Sequence, residues 1–281
     1  MKKYLIITFV LSWILMIAAS LSIERIGIGV FQYALMAVMF VPTIGALLSG
    51  HKITDFKWRP VFKGKIKYWL IAWFLPVITT VLGAALFFAI FPKAFDLSGA
   101  YLSANYGEDV LQQIQDAGMT PTVYFLITFV ASITYAPLIN IFPSLGEEIG
   151  WRGVMTPYFK EKYGKKGLIL SGAIWGVWHW PLIILAGYEY GFGYFGAPIT
   201  GILLFCLICI SLGIMIEYVY DKTDCIIAAA LMHGSYNAIG GIAALVLNPA
   251  YANYVLLGPL PVGIIAAIPI FVVAYFMLKR K

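Results

Sequence analysis

Apolar residues in this chain follow neither the two-residue alternation of a half-buried strand nor the narrow stripe of a surface helix. They run on in blocks of about twenty, parted by short polar breaks. A helix rising about 1.5 Å per residue needs about 20 residues to cross about 30 Å of hydrocarbon. Eight blocks approach that length: residues 4–23, 27–50, 68–91, 122–142, 168–187, 199–220, 225–247 and 260–278. The pattern predicts an all-α polytopic membrane protein with eight transmembrane helices, residues 1–281 forming one transmembrane domain. An even number of crossings puts both termini on one side.

The basic residues identify that side. With the termini in the cytoplasm, the inside segments hold Lys2, Lys3, Lys52, Lys57, Arg59, Lys63, Lys65, Lys67, Arg152, Lys160, Lys162, Lys165, Lys166, Lys222, Lys279, Arg280 and Lys281. Seventeen of the nineteen Lys and Arg residues then face inward, and only Arg25 and Lys93 lie outside. This is the bias expected of cytoplasmic loops, and removing one helix would scramble it.

Composition agrees with the pattern and excludes a soluble globule. The 281 residues are 62% hydrophobic and 11% charged, with a mean hydropathy of +0.89. A net charge of +6 would suit nucleic acid only if it were clustered on a solvated face; here it is spread over short loops, so the expected partner is the bilayer. The basic loop 51–67 carries Phe56, Trp58 and Phe62 and is expected to lie along anionic headgroups. The longest outer loop, 92–121, is acidic and is expected to form a cap or an interfacial segment, with a short helix over 110–116. No repeat or low-complexity tract is evident. The first block, Met1-Lys2-Lys3 followed by an apolar run to Ala18-Ala19-Ser20, is similar to a secretory signal, but it is long for one, and a retained helix is favoured. Without organellar signals the expected location is a prokaryotic cell membrane, or the endoplasmic reticulum membrane in a eukaryote. Cys206 and Cys209 have C-x-x-C spacing, but both sit in an apolar block with no basic neighbour, so packing is the favoured reading.

Ionisable groups at membrane depth are costly and mark cavities, pairs or chemistry. Three places carry them. In Glu147-Glu148-Ile149-Gly150-Trp151-Arg152, a helix sets Glu148 and Arg152 four apart on one face, while Glu147 points about 100° away. Pro137 and Pro143 lie just upstream and predict a kink or break before the glutamates. His179 follows Trp175 by one turn, in a segment where Gly172 and Gly176 invite close helix packing. His233 and Asn237 share a face of the seventh block. Counted from the inner ends of their helices, His179 and His233 lie about 18 Å and about 12 Å deep, so the three places can converge.

The set Glu-Glu-x-x-x-Arg, aromatic-x-x-x-His and His-x-x-x-Asn on successive membrane helices resembles the CAAX-processing and bacteriocin-processing (CPBP) intramembrane proteases, which include the Rce1-type prenyl endopeptidases and the Abi proteins. The resemblance implies a catalytic core over residues 122–247. In it Glu147 and His179 would activate a water, His233 and Asn237 would stabilise an oxyanion, and Glu148 and Arg152 would orient the rest. It implies a membrane-associated peptide or a lipidated protein as substrate. The chain departs from the family at Trp175, where a phenylalanine is usual; a tight aromatic wall is expected either way.

Some alternatives remain open. Members have also been called metalloproteases, and Glu147, Glu148, His179 and His233 could hold Zn2+. A metal-free mechanism is favoured, because there is no His-Glu-x-x-His and Glu148 already has Arg152 as partner. A proton- or ion-coupled transporter also uses buried Glu and His, though it tends to show paired repeats that are not visible here. A non-catalytic scaffold or immunity protein is the third reading. Glu217, beside Tyr218 and Tyr220, is read as interfacial, and His51 as a loop residue.

Overall fold

A computed structural model describes residues 1–280. Its α-helices are α1 (Lys2–Val38), α2 (Val41–Leu48), α3 (Ile66–Ile90), α4 (Ala100–Tyr106), α5 (Glu108–Asp116), α6 (Pro121–Ile133), α7 (Ala136–Gly150), α8 (Thr156–Tyr163), α9 (Lys165–Trp178), α10 (Trp180–Ala186), α11 (Ile199–Thr223), α12 (Ile226–Ile239) and α13 (Ile268–Lys279). Among the described residues there is no β-strand, only an isolated bridge between Phe95 and Leu247.

Five helical stretches are long and apolar enough to cross a membrane: Lys2–Leu48, Ile66–Ile90, Lys165–Ala186, Ile199–Thr223 and Ile226–Val246. A sixth appears if Glu108–Asp116 and Pro121–Ile133, bent by 87°, count as one span. The eight apolar blocks of the sequence are therefore divided differently in space, for local reasons. The first two blocks form one 47-residue stretch, broken at Gly27, whose φ of 77° and ψ of 159° are not helical. Beyond this break the chain doubles back. A Cβ on Gly45 would strike Thr8, and Met16 and Val38 share one cavity wall. The fourth block splits at Thr134, with Pro137 in the first turn of the next helix. Pro143 stays inside α7. In the last block only Ile268–Lys279 is α-helical, so α13 is 12 residues long, with Pro269 in its first turn.

Close packing of α9 on α11 depends on missing side chains. A Cβ on Gly172 would lie 2.4 Å from Ile210 Cα, and one on Gly176 would lie 2.6 Å from Cys206 Cα, as the small-residue spacing predicts. On α12 a Cβ at Gly234 would meet the Asn140 backbone of α7 at 2.8 Å. These contacts bring α7, α9 and α12, the three bearers of the motifs, together beside α11.

The two ends of the bundle differ chemically. At one end Lys57 pairs with Asp224, Lys65 Nζ donates to Thr223 O at 3.0 Å, and Lys160 Nζ donates to Asp221 at 2.6 Å. Lys160 also reaches Glu217 at 2.9 Å. Glu217 is thus buried and ion-paired rather than simply interfacial. Tyr4 packs edge-to-face on Trp151 and Lys165 Nζ reaches Lys279 O at 3.4 Å, so both termini lie toward this basic end. At the other end the acidic loop joins residues 246–248 through Asp96 N to Val246 O at 2.9 Å and Asn248 N to Ala94 O at 2.8 Å.

Candidate active site

Glu147 is 2% exposed near the end of α7, yet it reaches an internal cavity of about 270 Å³. Two indoles hold it: Trp151 Nε1 and Trp175 Nε1 both donate to Oε2, at 2.9 and 2.8 Å. Both bonds fall on one oxygen, so the other carboxylate oxygen remains available to the cavity. Trp151 begins a π-helical turn, Trp151–Met155, that continues α7 toward α8. Such turns recur at functional sites.

Glu148 lies behind the cavity wall. Arg152 approaches it with Nε at 3.1 Å from Oε2 and Nη1 at 3.1 Å from Oε1. His233 Nδ1 stands 2.7 Å from Oε1. The predicted Glu148–Arg152 pair is therefore present, and it also orients a histidine on another helix. A carboxylate accepts, so His233 Nδ1 donates and Nε2 is left for the cavity. Positive charge developing on this ring would face an anion at hydrogen-bond distance.

His179 is oriented differently. Its Nδ1 lies 2.9 Å from Trp175 O, and a carbonyl can only accept. In the neutral ring Nδ1 then carries the proton, and Nε2 presents a lone pair. The Trp175 ring stands between the parts, with centroids 5.9 Å from His179 and 5.2 Å from His233. Arg152 lies over its face at 4.9 Å.

The cavity thus brings together Glu147, Trp175, His179, His233 and Asn237, while Glu148 and Arg152 support it from outside its lining. Asn237 is exposed, one turn beyond His233. Sequence reasoning missed Trp151, although its place four residues after Glu147 is a usable signal. It also missed Tyr188 and Glu189, which line the cavity from the loop after α10. Enclosure by protein raises the Glu189 carboxyl above the ordinary carboxylate range, against a lowering by the Tyr188 hydroxyl.

Among the described residues no group of three or more His, Cys, Asp and Glu side chains is disposed to hold a metal ion. Glu148 is already engaged by Arg152 and His233, and one oxygen of Glu147 by two indoles.

The family description "Type II CAAX prenyl endopeptidase Rce1-like" matches residues 6–239, which include all three motifs. The chain belongs to the Rce1-like family. A relative of this family, "CAAX prenyl protease 2" of Methanococcus maripaludis, is 26% identical over 235 residues, covering 83% of this chain and 80% of its own length. An Rce1-like chain is a multi-pass membrane protein of a protease family. The match begins at residue 6, so it takes in the α1–α2 hairpin as well as the motif-bearing helices.

Proposed function

We propose that this chain is an intramembrane endopeptidase that hydrolyses a peptide bond of a membrane-associated, prenylated protein by a water held between Glu147 and His179. The observation that carries the reading is that Glu147, His179 and His233 line one cavity, the hydrogen bonds of the glutamate falling on Oε2 and those of the histidines on Nδ1. Glu147 takes a proton from the water as it attacks the scissile carbonyl, and the lone pair of His179 aligns that water. His233 acts as the imidazolium, its Nδ1–H held by Glu148 and its Nε2–H donated to the oxyanion together with the Asn237 amide. Glu147 then returns its proton to the leaving amine, and both fragments depart with the water consumed. A metal-free mechanism is favoured by the prior engagement of Glu148 and of Glu147 Oε2, so no step passes through a cation.

The wider reading has eight crossings, with both termini and the basic end in the cytoplasm. It is supported by the fold-back at Gly27, by the helical path of α6 and α7, and by the gathering of Lys57, Lys65, Lys160 and Lys165 at one end. A prokaryotic cell membrane is the proposed location.

The test is cleavage of a membrane-peptide library, prenylated and unprenylated, by purified wild type, Glu147→Ala and His179→Ala. Each is assayed with and without a strong chelator. General-base loss predicts a fall of about 100-fold or more in both variants, with wild-type activity kept in chelator. Equal cleavage by all three proteins would remove the protease assignment, and loss in chelator restored by zinc would overturn the metal-free step.

A further inference from the structure

The loop that joins α10 to α11 places a second acid on the cavity, and the chemistry above does not use it. Glu189 lines the same space as Glu147. Its φ is +66°, one of only two positive values at non-glycine residues among those described. Residues held in such a conformation persist where their surroundings over-determine them, and they cluster at sites that bind or react. Here the surroundings are visible. Gly191 N donates to Gly187 O at 2.7 Å and Tyr190 N to the same carbonyl at 3.2 Å, which closes the loop on itself. Tyr190 Oη donates to Val262 O at 3.0 Å and ties the loop to the opposite wall.

Tyr188 connects this acid to the proposed chemistry. Its ring lies nearly parallel to that of His179, at 13° and 6.1 Å between centroids, and its hydroxyl interacts with the Glu189 carboxyl. Glu189 therefore lies next to the Tyr188 ring that stacks on His179, on the cavity that Glu147 also lines. Among the described residues no Lys or Arg lines the cavity, and no cation forms a salt bridge with Glu189. A half-buried carboxylate without a cation beside it lacks a charged partner, and a ligand that brings one supplies it.

We propose that Glu189 is a substrate-specificity residue that receives a basic side chain, lysine or arginine, placed close to the scissile bond. This rests on the protease reading, with Glu147 and His179 at the reacting bond. The acid is fixed by its loop before substrate arrives, so little ordering is needed to form a charge-assisted hydrogen bond.

The experiment compares matched peptides carrying Lys, Gln or Glu at each position flanking the cleaved bond, in wild type, Glu189→Gln and Glu189→Lys. The readout is the ratio of kcat/KM for Lys over Gln within each protein, so a general loss of activity or folding cancels. In wild type one position should favour Lys by about tenfold or more, the size of one charge-assisted bond. That preference should fall to about one in Glu189→Gln, and Glu189→Lys should favour Glu at the same position. An unchanged Lys-over-Gln ratio in Glu189→Gln, or no preference anywhere in wild type, overturns the inference. The same ratios are read from equilibrium binding of fluorescent versions of these peptides. If wild type cleaves nothing but binds the Lys peptide in preference, and Glu189→Gln does not, the basic pocket stands and the protease reading fails.

Discussion

Trp175 shows how much one atom matters at this site. The aromatic wall predicted by its spacing from His179 is there, and it could have been built by a phenylalanine; the donation of its Nε1 to Glu147 at 2.8 Å could not. Trp175→Phe should keep the cavity's shape and remove one of two donors from the carboxylate. We expect kcat to fall by about tenfold or more, the worth of a hydrogen bond to a charged group, with KM little changed. Steady-state kinetics on one cleaved peptide would check this, and a change confined to KM would show that Trp175 only shapes the pocket. The Glu148–Arg152 pair was legible because four-residue spacing is written along the chain. The Glu148–His233 contact at 2.7 Å was not, because it joins positions 85 apart in sequence and depends on α7 meeting α12. Glu189 was illegible for a different reason: a short loop between apolar blocks gives no sign that it folds inward.

Elements were readable as blocks and misread as rods. Hydropathy reports how far a segment can span; it parted the first two blocks at Glu24 and Arg25, beside the break at Gly27, but it is blind to a break that leaves composition unchanged, as at Thr134. Proline marked the region before the glutamates correctly, but the chain breaks at Thr134, ahead of Pro137, and accommodates Pro143 within α7. Packing was more transparent than continuity. The Gly172 and Gly176 spacing predicted a close neighbour, and α11 takes that place. Gly172→Ala forces a methyl onto the Ile210 backbone and should cost about 1–3 kcal/mol. Gly29→Ala, where a Cβ would meet nothing within 4 Å, should be neutral or slightly stabilising. Thermal unfolding of both variants in detergent decides the matter; equal midpoints would mean that the α9–α11 contact is looser than the structure shows.

On the scale of the whole molecule, charge and hydropathy together carried most of the information. The alternation of basic and non-basic loops predicted two chemically distinct ends, and the ion pairs of Lys57 and Lys160 gather at one of them. The cytoplasmic assignment of that end can be tested in cells. Cysteine introduced at Asp109 should react with an impermeant thiol reagent added to intact cells, and cysteine at Lys162 should react only after lysis. The reverse result would invert the protein in the membrane, and equal reaction of both would break the alternation of crossings. What hydropathy could not supply was the cavity, since an enclosed space exists only once distant helices have met.

The α1–α2 hairpin walls that cavity with Met16, Leu35, Val38 and Met39, opposite the side chains proposed to do the chemistry. None of these four residues belongs to a motif. One wall of the cavity and the motif-bearing helices are thus drawn from separate stretches of chain, joined by contacts that include Trp13 Nε1 to Trp178 O at 3.1 Å and Thr43 Oγ1 to Gly146 O at 2.7 Å. The hairpin wall can therefore be rewritten without touching any motif residue.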